Sequence, residues 1–129
     1  WGNISFNPIS ALTHATLEDI CQFRETRKLA ENMMHETQAI AESLGITFRH
    51  TIEKRIAGAK SVGAHKTSML QDVEAGRSLE TEALIGSVLE LGDLTKIPTP
   101  AIEAVYACIK LLNKIMVLEG AGIRVSDAA

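Results

Sequence analysis

Two short segments concentrate the side chains that can do chemistry. The first is Gly2-Asn3-Ile4-Ser5-Phe6-Asn7-Pro8-Ile9-Ser10-Ala11-Leu12. If this stretch is helical, the spacing stacks Asn3 over Asn7 on one face. Each amide carries donors and an acceptor, suited to gripping a carboxylate or a hydroxyl. A purely structural use competes with that role: Asn7 directly before Pro8 also fits a helix N-cap followed by Pro at the first helical position. The second segment is His65-Lys66-Thr67-Ser68-Met69-Leu70-Gln71-Asp72, followed by Gly76-Arg77-Ser78-Leu79-Glu80-Thr81-Glu82. Ser68 with Gln71 reads as a capping box, and Glu80 and Glu82 as acids well placed at the start of a following helix. Singly these are ordinary helix-end residues. Together they gather polar groups at two adjoining helix ends, where a ligand can meet them.

Other chemistries find little support. Gly120-Ala121-Gly122 looks like part of a dinucleotide fingerprint, but it follows a helical pattern, lacks the third Gly and has only Ile123–Ala129 after it. A dinucleotide site needs a strand, a Gly-rich turn and a helix N-terminus facing the pyrophosphate. His14, His35, His50 and His65 have no partner four residues away, so no metal site is expected. Cys21 and Cys108 lack a CxxC context and are expected to pack as small apolar groups. A reducing cytoplasm is the default setting for such a chain.

The elements that must position these residues read as helices. Between Pro8 and Pro98 there is no proline, and apolar residues recur at three-and-four spacing. Leu29, Met33, Ile40 and Leu44 line one face, with Glu31, Glu36 and Glu42 off it and Gly45 as the stop. Ile52, Ile56, Ala59 and Val62 mark a shorter helix, and Ser68 opens another that Gly76 closes. Leu84, Val88 and Leu91, with Ile85 and Leu89 beside them, predict a helix buried around much of its circumference. Ile97-Pro98-Thr99-Pro100 is a rigid corner with Thr99 as N-cap, and the last helix carries Val105, Cys108, Leu112 and Ile115 on one face to an end near Gly120. No strand pattern, repeat or linker appears. The reading is a single all-α domain, residues 1–129, of about six helices.

Composition bounds what such a domain does. The 129 residues are 46% hydrophobic, enough for a real core. Thirteen Lys and Arg against sixteen Asp and Glu leave a formal net charge of −3, which argues against nucleic acid or anionic lipid as a partner. No apolar run approaches the roughly 18 residues of a membrane span, and no signal-peptide pattern is present. The opening Trp1-Gly2-Asn3, without a Met, reads as the beginning of a piece of something longer.

Together the two polar segments resemble the C-terminal domain of the ketopantoate reductase (2-dehydropantoate 2-reductase) family, which places the fold among the helical C-terminal domains of 6-phosphogluconate dehydrogenase-like reductases. The family pattern of Asn-x-x-x-Asn-Pro-x-Ser/Thr-Ala is matched by Asn3, Asn7-Pro8 and Ser10-Ala11. Ser-Met-Leu-Gln-Asp is matched by Ser68 to Asp72, then come Gly76-Arg77 and Leu79-Glu80-Thr81-Glu82. The Pro98 to Pro100 corner is similar to a family segment as well.

The resemblance implies an NADPH-dependent reduction of a 2-oxo acid. An N-terminal Rossmann domain would hold NADPH, the helical domain would close over it, and a lysine before Trp1 would act as acid on the developing alkoxide. By the same resemblance Asn3, Asn7 and Ser68 would bind substrate, with Ser68 at its carboxylate end. His65 would stand among them, and Glu80 would touch the nicotinamide side of the cofactor. No catalytic residue is expected in this chain itself, and the chain alone is expected to be inactive. Where the family often has Asn, this sequence has His65 and Leu17, and Glu82 stands where Asp is common. Those departures put the particular 2-oxo acid, ketopantoate or another, in play. A helical dimerisation or interaction module without catalysis is the competing reading, and a homodimer would use the broad apolar face around Leu84 to Leu91.

Overall fold

The computed structural model describes the backbone of residues 2–79 and 81–119, and the side chains of residues 4–79 and 83–117. Gly120-Ala121-Gly122 therefore lies outside the described residues. Those described form seven helices and no strand: α1 (Gly2–Thr13), α2 (Leu17–Gln22), α3 (Arg24–Ser43), α4 (Ile52–Val62), α5 (Ser68–Ala75), α6 (Thr81–Thr95) and α7 (Pro100–Glu119). The expected all-α fold is present. The additional helix is α2, which Thr16 and Asp19 fix as a unit of its own. Asp19 N–H donates to Thr16 Oγ1 at 3.2 Å and Thr16 N–H donates back to Asp19 Oδ2 at 3.1 Å, a reciprocal capping box.

Helix α1 is the centre of the fold. It packs against α2, α3, α5, α6 and α7, and every residue from Ile4 to Ala11 is buried. Pro8 lies inside it, which overturns Asn7 as an N-cap: the helix starts at Gly2, well upstream. A proline there removes one backbone hydrogen bond, and burial on all sides offsets that loss. Polar groups inside α1 find local partners, with Ser10 Oγ donating to the Ala15 carbonyl at 2.6 Å and Thr13 Oγ1 to the Ile9 carbonyl at 2.8 Å.

Several faces differ from the expected ones by about one residue of rotation. In α3 the buried set is Ala30, Met33, Met34, Ile40 and Ala41. Leu44 is its exposed C-cap rather than core. Gly45 and Gly76 close α3 and α5 with φ of 81° and 73°, the left-handed turn that favours glycine. In α6 the inward stripe is Ile85, Val88 and Gly92, whereas Leu84 and Leu91 are 42% and 39% exposed. The expectation of burial around most of α6 is thus corrected to burial on one side. In α7 the core stripe is Ile102, Val105, Ile109 and Met116, which leaves Cys108 and Ile115 on the outside. Cys21 does pack in the core, 1% exposed.

The start of α7 is capped from a distance. Ala101 and Ile102 N–H donate to the two oxygens of the Glu36 carboxylate at 2.8 and 2.9 Å. A carboxylate at a helix N-terminus satisfies orphan donors and opposes the helix dipole. Thr99 precedes the helix as expected, but these first-turn donors are met by a side chain of α3.

Candidate functional site

The two polar segments meet where α1 crosses α5. Asn7 stands mid-helix in α1 and is 8% exposed. Its Nδ2 donates to Ser68 Oγ at 3.4 Å, across 61 residues of sequence. The meeting depends on a shift of one residue in the cap of α5. The N-cap is Thr67, whose Oγ1 accepts from Leu70 N–H at 3.1 Å. Ser68, expected to be the cap, is instead the first residue of the helix, and its hydroxyl reaches α1. Gln71 does not reciprocate the cap; its Nε2 donates to the Lys66 carbonyl at 3.3 Å.

His65 is exposed, three positions before Ser68. Its carbonyl accepts from Leu17 N–H at 3.3 Å, and the Gly63 carbonyl accepts from Glu18 N–H at 3.2 Å. The first turn of α2 is therefore docked on the loop that leads to α5. The two positions where Asn was the family expectation, Leu17 and His65, lie side by side through that bond. Leu17 is partly buried against the core, so an apolar side chain occupies that place.

Asn3 lies in α1 one turn before Asn7, as the spacing required; its side chain falls outside the described residues, and so does Glu80. The chain entering residue 80 is anchored: Leu79 is buried and its N–H donates to Asn113 Oδ1 of α7 at 3.0 Å. Neither Asn113 nor Glu36 was singled out from sequence. Asn113 had a signal, a lone amide beside the apolar positions Leu112 and Met116. Glu36 had none, since it looks like one of several solvent-facing acids on α3.

Chemically the Asn7–Ser68 pair offers an amide donor and a hydroxyl to an anionic or carbonyl oxygen. The ends of α5 are held by exposed ion pairs, Lys66 to Glu74 at 2.8 Å and Arg77 to Asp72 at 2.9 Å, which add little stability. Cys21 is no nucleophile for this site. Burial pushes its thiol above the ordinary range, with Lys60 and Arg27 opposing in smaller measure. Among the described residues no group of three or more His, Cys, Asp or Glu is placed to hold a metal. No described helix is long and apolar enough to cross a membrane.

Fold and site together define an all-helical domain in which α1 and α5 bring a buried amide and a hydroxyl together. The chain belongs to the family described as "Ketopantoate reductase PanE/ApbA C terminal", which matches residues 1–113. It is 56% identical over 112 residues to a 2-dehydropantoate 2-reductase of Mesorhizobium japonicum, covering 87% of this chain and 34% of that protein. It is also similar to a solved 2-dehydropantoate 2-reductase from Methylococcus capsulatus, with 34% identity, a TM-score of 0.80, and coverage of 88% of this chain and 40% of that one. A solved structure described as a putative ketopantoate reductase from Ralstonia solanacearum MolK2 gives 35% identity and a TM-score of 0.82, covering 91% and 35%. The chain thus spans about a third of the length of the curated relative.

Proposed function

We propose that this chain is the helical, substrate-holding domain of an NADPH-dependent 2-oxo-acid reductase of the cytoplasm, with 2-dehydropantoate as substrate and pantothenate synthesis as setting. The observation that carries the reading is the Asn7–Ser68 contact, because it joins the two polar segments into one site. In this proposal Ser68 and Asn7 hold the carboxylate end of the substrate, Asn3 extends the same face of α1, His65 lines the outer edge, and Glu80 faces the nicotinamide. The relatives' greater length supports assigning the Rossmann domain and the acid lysine to other parts of a longer enzyme. Pairing of two copies is included in the proposal, with exposed Leu84, Leu91 and Leu94 on α6 as support.

The described residues do not by themselves fit NADPH. They contain no strand, hence no strand, Gly-rich turn and helix to cradle a pyrophosphate. What this chain's own residues contribute is binding and orientation, the part of catalysis that positions a carbonyl for reaction.

The test is the longer reductase, assayed by loss of NADPH absorbance with 2-dehydropantoate and with other small branched 2-oxo acids. Turnover is expected, while the 129-residue chain alone neither consumes NADPH nor binds it tightly. Absence of turnover with every such acid would leave the alternative of a helical interaction module.

A further inference from the structure

Ser68 reaches Asn7 because α5 takes Thr67 as its cap, although serine caps helices at least as well as threonine. The loop that leads into α5 makes the choice. Helix α4 ends at Gly63, whose φ of 87° and ψ of −143° lie in the mirror image of the extended region, open to glycine and strained for other residues. Space does not require glycine there, since a Cβ would meet nothing within 4 Å. The turn directs the Gly63 carbonyl to α2, where Glu18 N–H donates to it at 3.2 Å. Two residues on, the His65 carbonyl accepts from Leu17 N–H at 3.3 Å. Leu17 and Glu18 open α2, so two donors that have no partner inside the helix are met by the loop. The next donor, Asp19 N–H, goes to Thr16 Oγ1.

These ties leave the chain little slack. Only Lys66 lies between His65 and the cap Thr67. Lys66 is itself held, its carbonyl accepting from Gln71 Nε2 at 3.3 Å and its Nζ pairing with Glu74 at 2.8 Å. Beyond the cap, Met69 and Leu70 are fully buried and fix which side of α5 faces the core. A start one residue later would make Ser68 the cap and turn its hydroxyl back onto its own helix. We propose that Gly63 and the first turn of α2 are a positioning device for Ser68: they fix where α5 begins, and so deliver the Ser68 hydroxyl to Asn7 and the substrate. This deepens the proposed function and rests on the reading of Ser68 as a substrate contact. The action runs through the backbone of residues 63–67.

The test compares matched substitutions in the longer reductase. Gly63→Ala is set against Gly45→Ala, which strains a φ of 81° in equally open space after α3. Both are expected to lower Tm. Only Gly63→Ala is expected to lower kcat/KM for 2-dehydropantoate, by about tenfold, through KM for the oxo acid and with KM for NADPH unchanged. In a Ser68→Ala background the same change is expected to cost less than about twofold more. Leu17→Pro is set against Leu17→Ala. Both lose side-chain packing, but proline, tolerated at the first helical position, also deletes the N–H that holds His65. Leu17→Pro is expected to act as Gly63→Ala does, and Leu17→Ala as Gly45→Ala does. Hydrogen exchange over residues 64–73 is a readout independent of turnover. Leu70 N–H, bonded to Thr67 Oγ1, is expected to exchange about tenfold faster in Gly63→Ala and Leu17→Pro than in their controls. Equal losses of kcat/KM within each pair, or Leu70 exchange unmoved by Gly63→Ala and Leu17→Pro, would overturn the proposal. Faster Leu70 exchange alongside full activity of Ser68→Ala would instead strike the substrate reading of Ser68, while upholding the loop's control of where α5 begins.

Discussion

Asn7 and Ser68 stand 3.4 Å apart, the amide of a buried helix donating to the hydroxyl that opens another. At that length the bond itself is weak.

In the longer reductase, Asn7→Ala and Ser68→Ala are each expected to lower kcat/KM by about 10- to 100-fold, the scale of a hydrogen bond to a charged partner. The double variant is expected to lose less than the product, because the two groups touch. Steady-state rates with melting curves on the same proteins separate binding from folding. Unchanged KM with a lowered Tm would reduce the pair to a tie between α1 and α5.

Glu36 makes a different kind of link, closing the start of α7 from α3 through Ala101 and Ile102 N–H. Glu36→Ala leaves two donors of a part-buried helix end without their acceptor and is expected to cost about 1–3 kcal/mol. Glu36→Gln keeps one acceptor oxygen and is expected to lose less. Urea unfolding of the three proteins checks the order, and equal stability of all three would contradict the cap.

How far the fold and site were legible follows from which signals are local. Gly45 and Gly76 end helices where their positions indicate, because a left-handed φ is a property of one residue. Thr67 and Ser68 are both good caps, and adjacent sequence cannot choose between them; packing chose Thr67 and thereby sent Ser68 to Asn7. Pro8 argued for a helix start at Asn7, yet tertiary burial keeps it inside α1. The same holds for the stripes: Cys108 and Ile109 are one residue apart, and only the packing of α7 settles that Ile109 faces in. The cap by Glu36, 65 residues from Ala101, left no local trace. Residue types of the candidate site were therefore readable, and the family resemblance implied a shared ligand for Asn7 and Ser68, but their direct contact was not readable.

Two glycines should respond oppositely to the same change. At Gly92 an added Cβ would stand 3.1 Å from Thr99 Cγ2, 3.4 Å from Ile40 Cδ1 and 3.4 Å from the Ile97 carbonyl oxygen, hemmed in by a backbone atom as well as side chains. Gly92→Ala is expected to destabilise by about 1–3 kcal/mol through overpacking where α6 meets the corner before α7. At Gly58 the Cβ has open space, and Gly58→Ala is expected to stabilise α4 by about 0.5–1 kcal/mol. Thermal melts give both signs; a stabilising Gly92→Ala would mean that the corner yields.

The two cysteines should part company in reactivity and in pH dependence. Cys108 is exposed, whereas Cys21 is buried with its Sγ 3.8 Å from the Ile56 carbonyl. A disulfide reagent is expected to titrate one thiol quickly and the second only on unfolding. Burial raises the Cys21 thiol above its ordinary 9.0 in the folded chain, against smaller lowering by Lys60 and Arg27. The unfolded thiol therefore ionises first. The contribution to stability is complete below 9.0 and is lost as pH rises from there toward the higher folded value. Cys21→Ala removes that dependence while costing some packing. Between about pH 8 and about pH 10 the parent should thus lose more stability than the variant does. Equal losses in the two proteins would show that Cys21 is not the group that titrates.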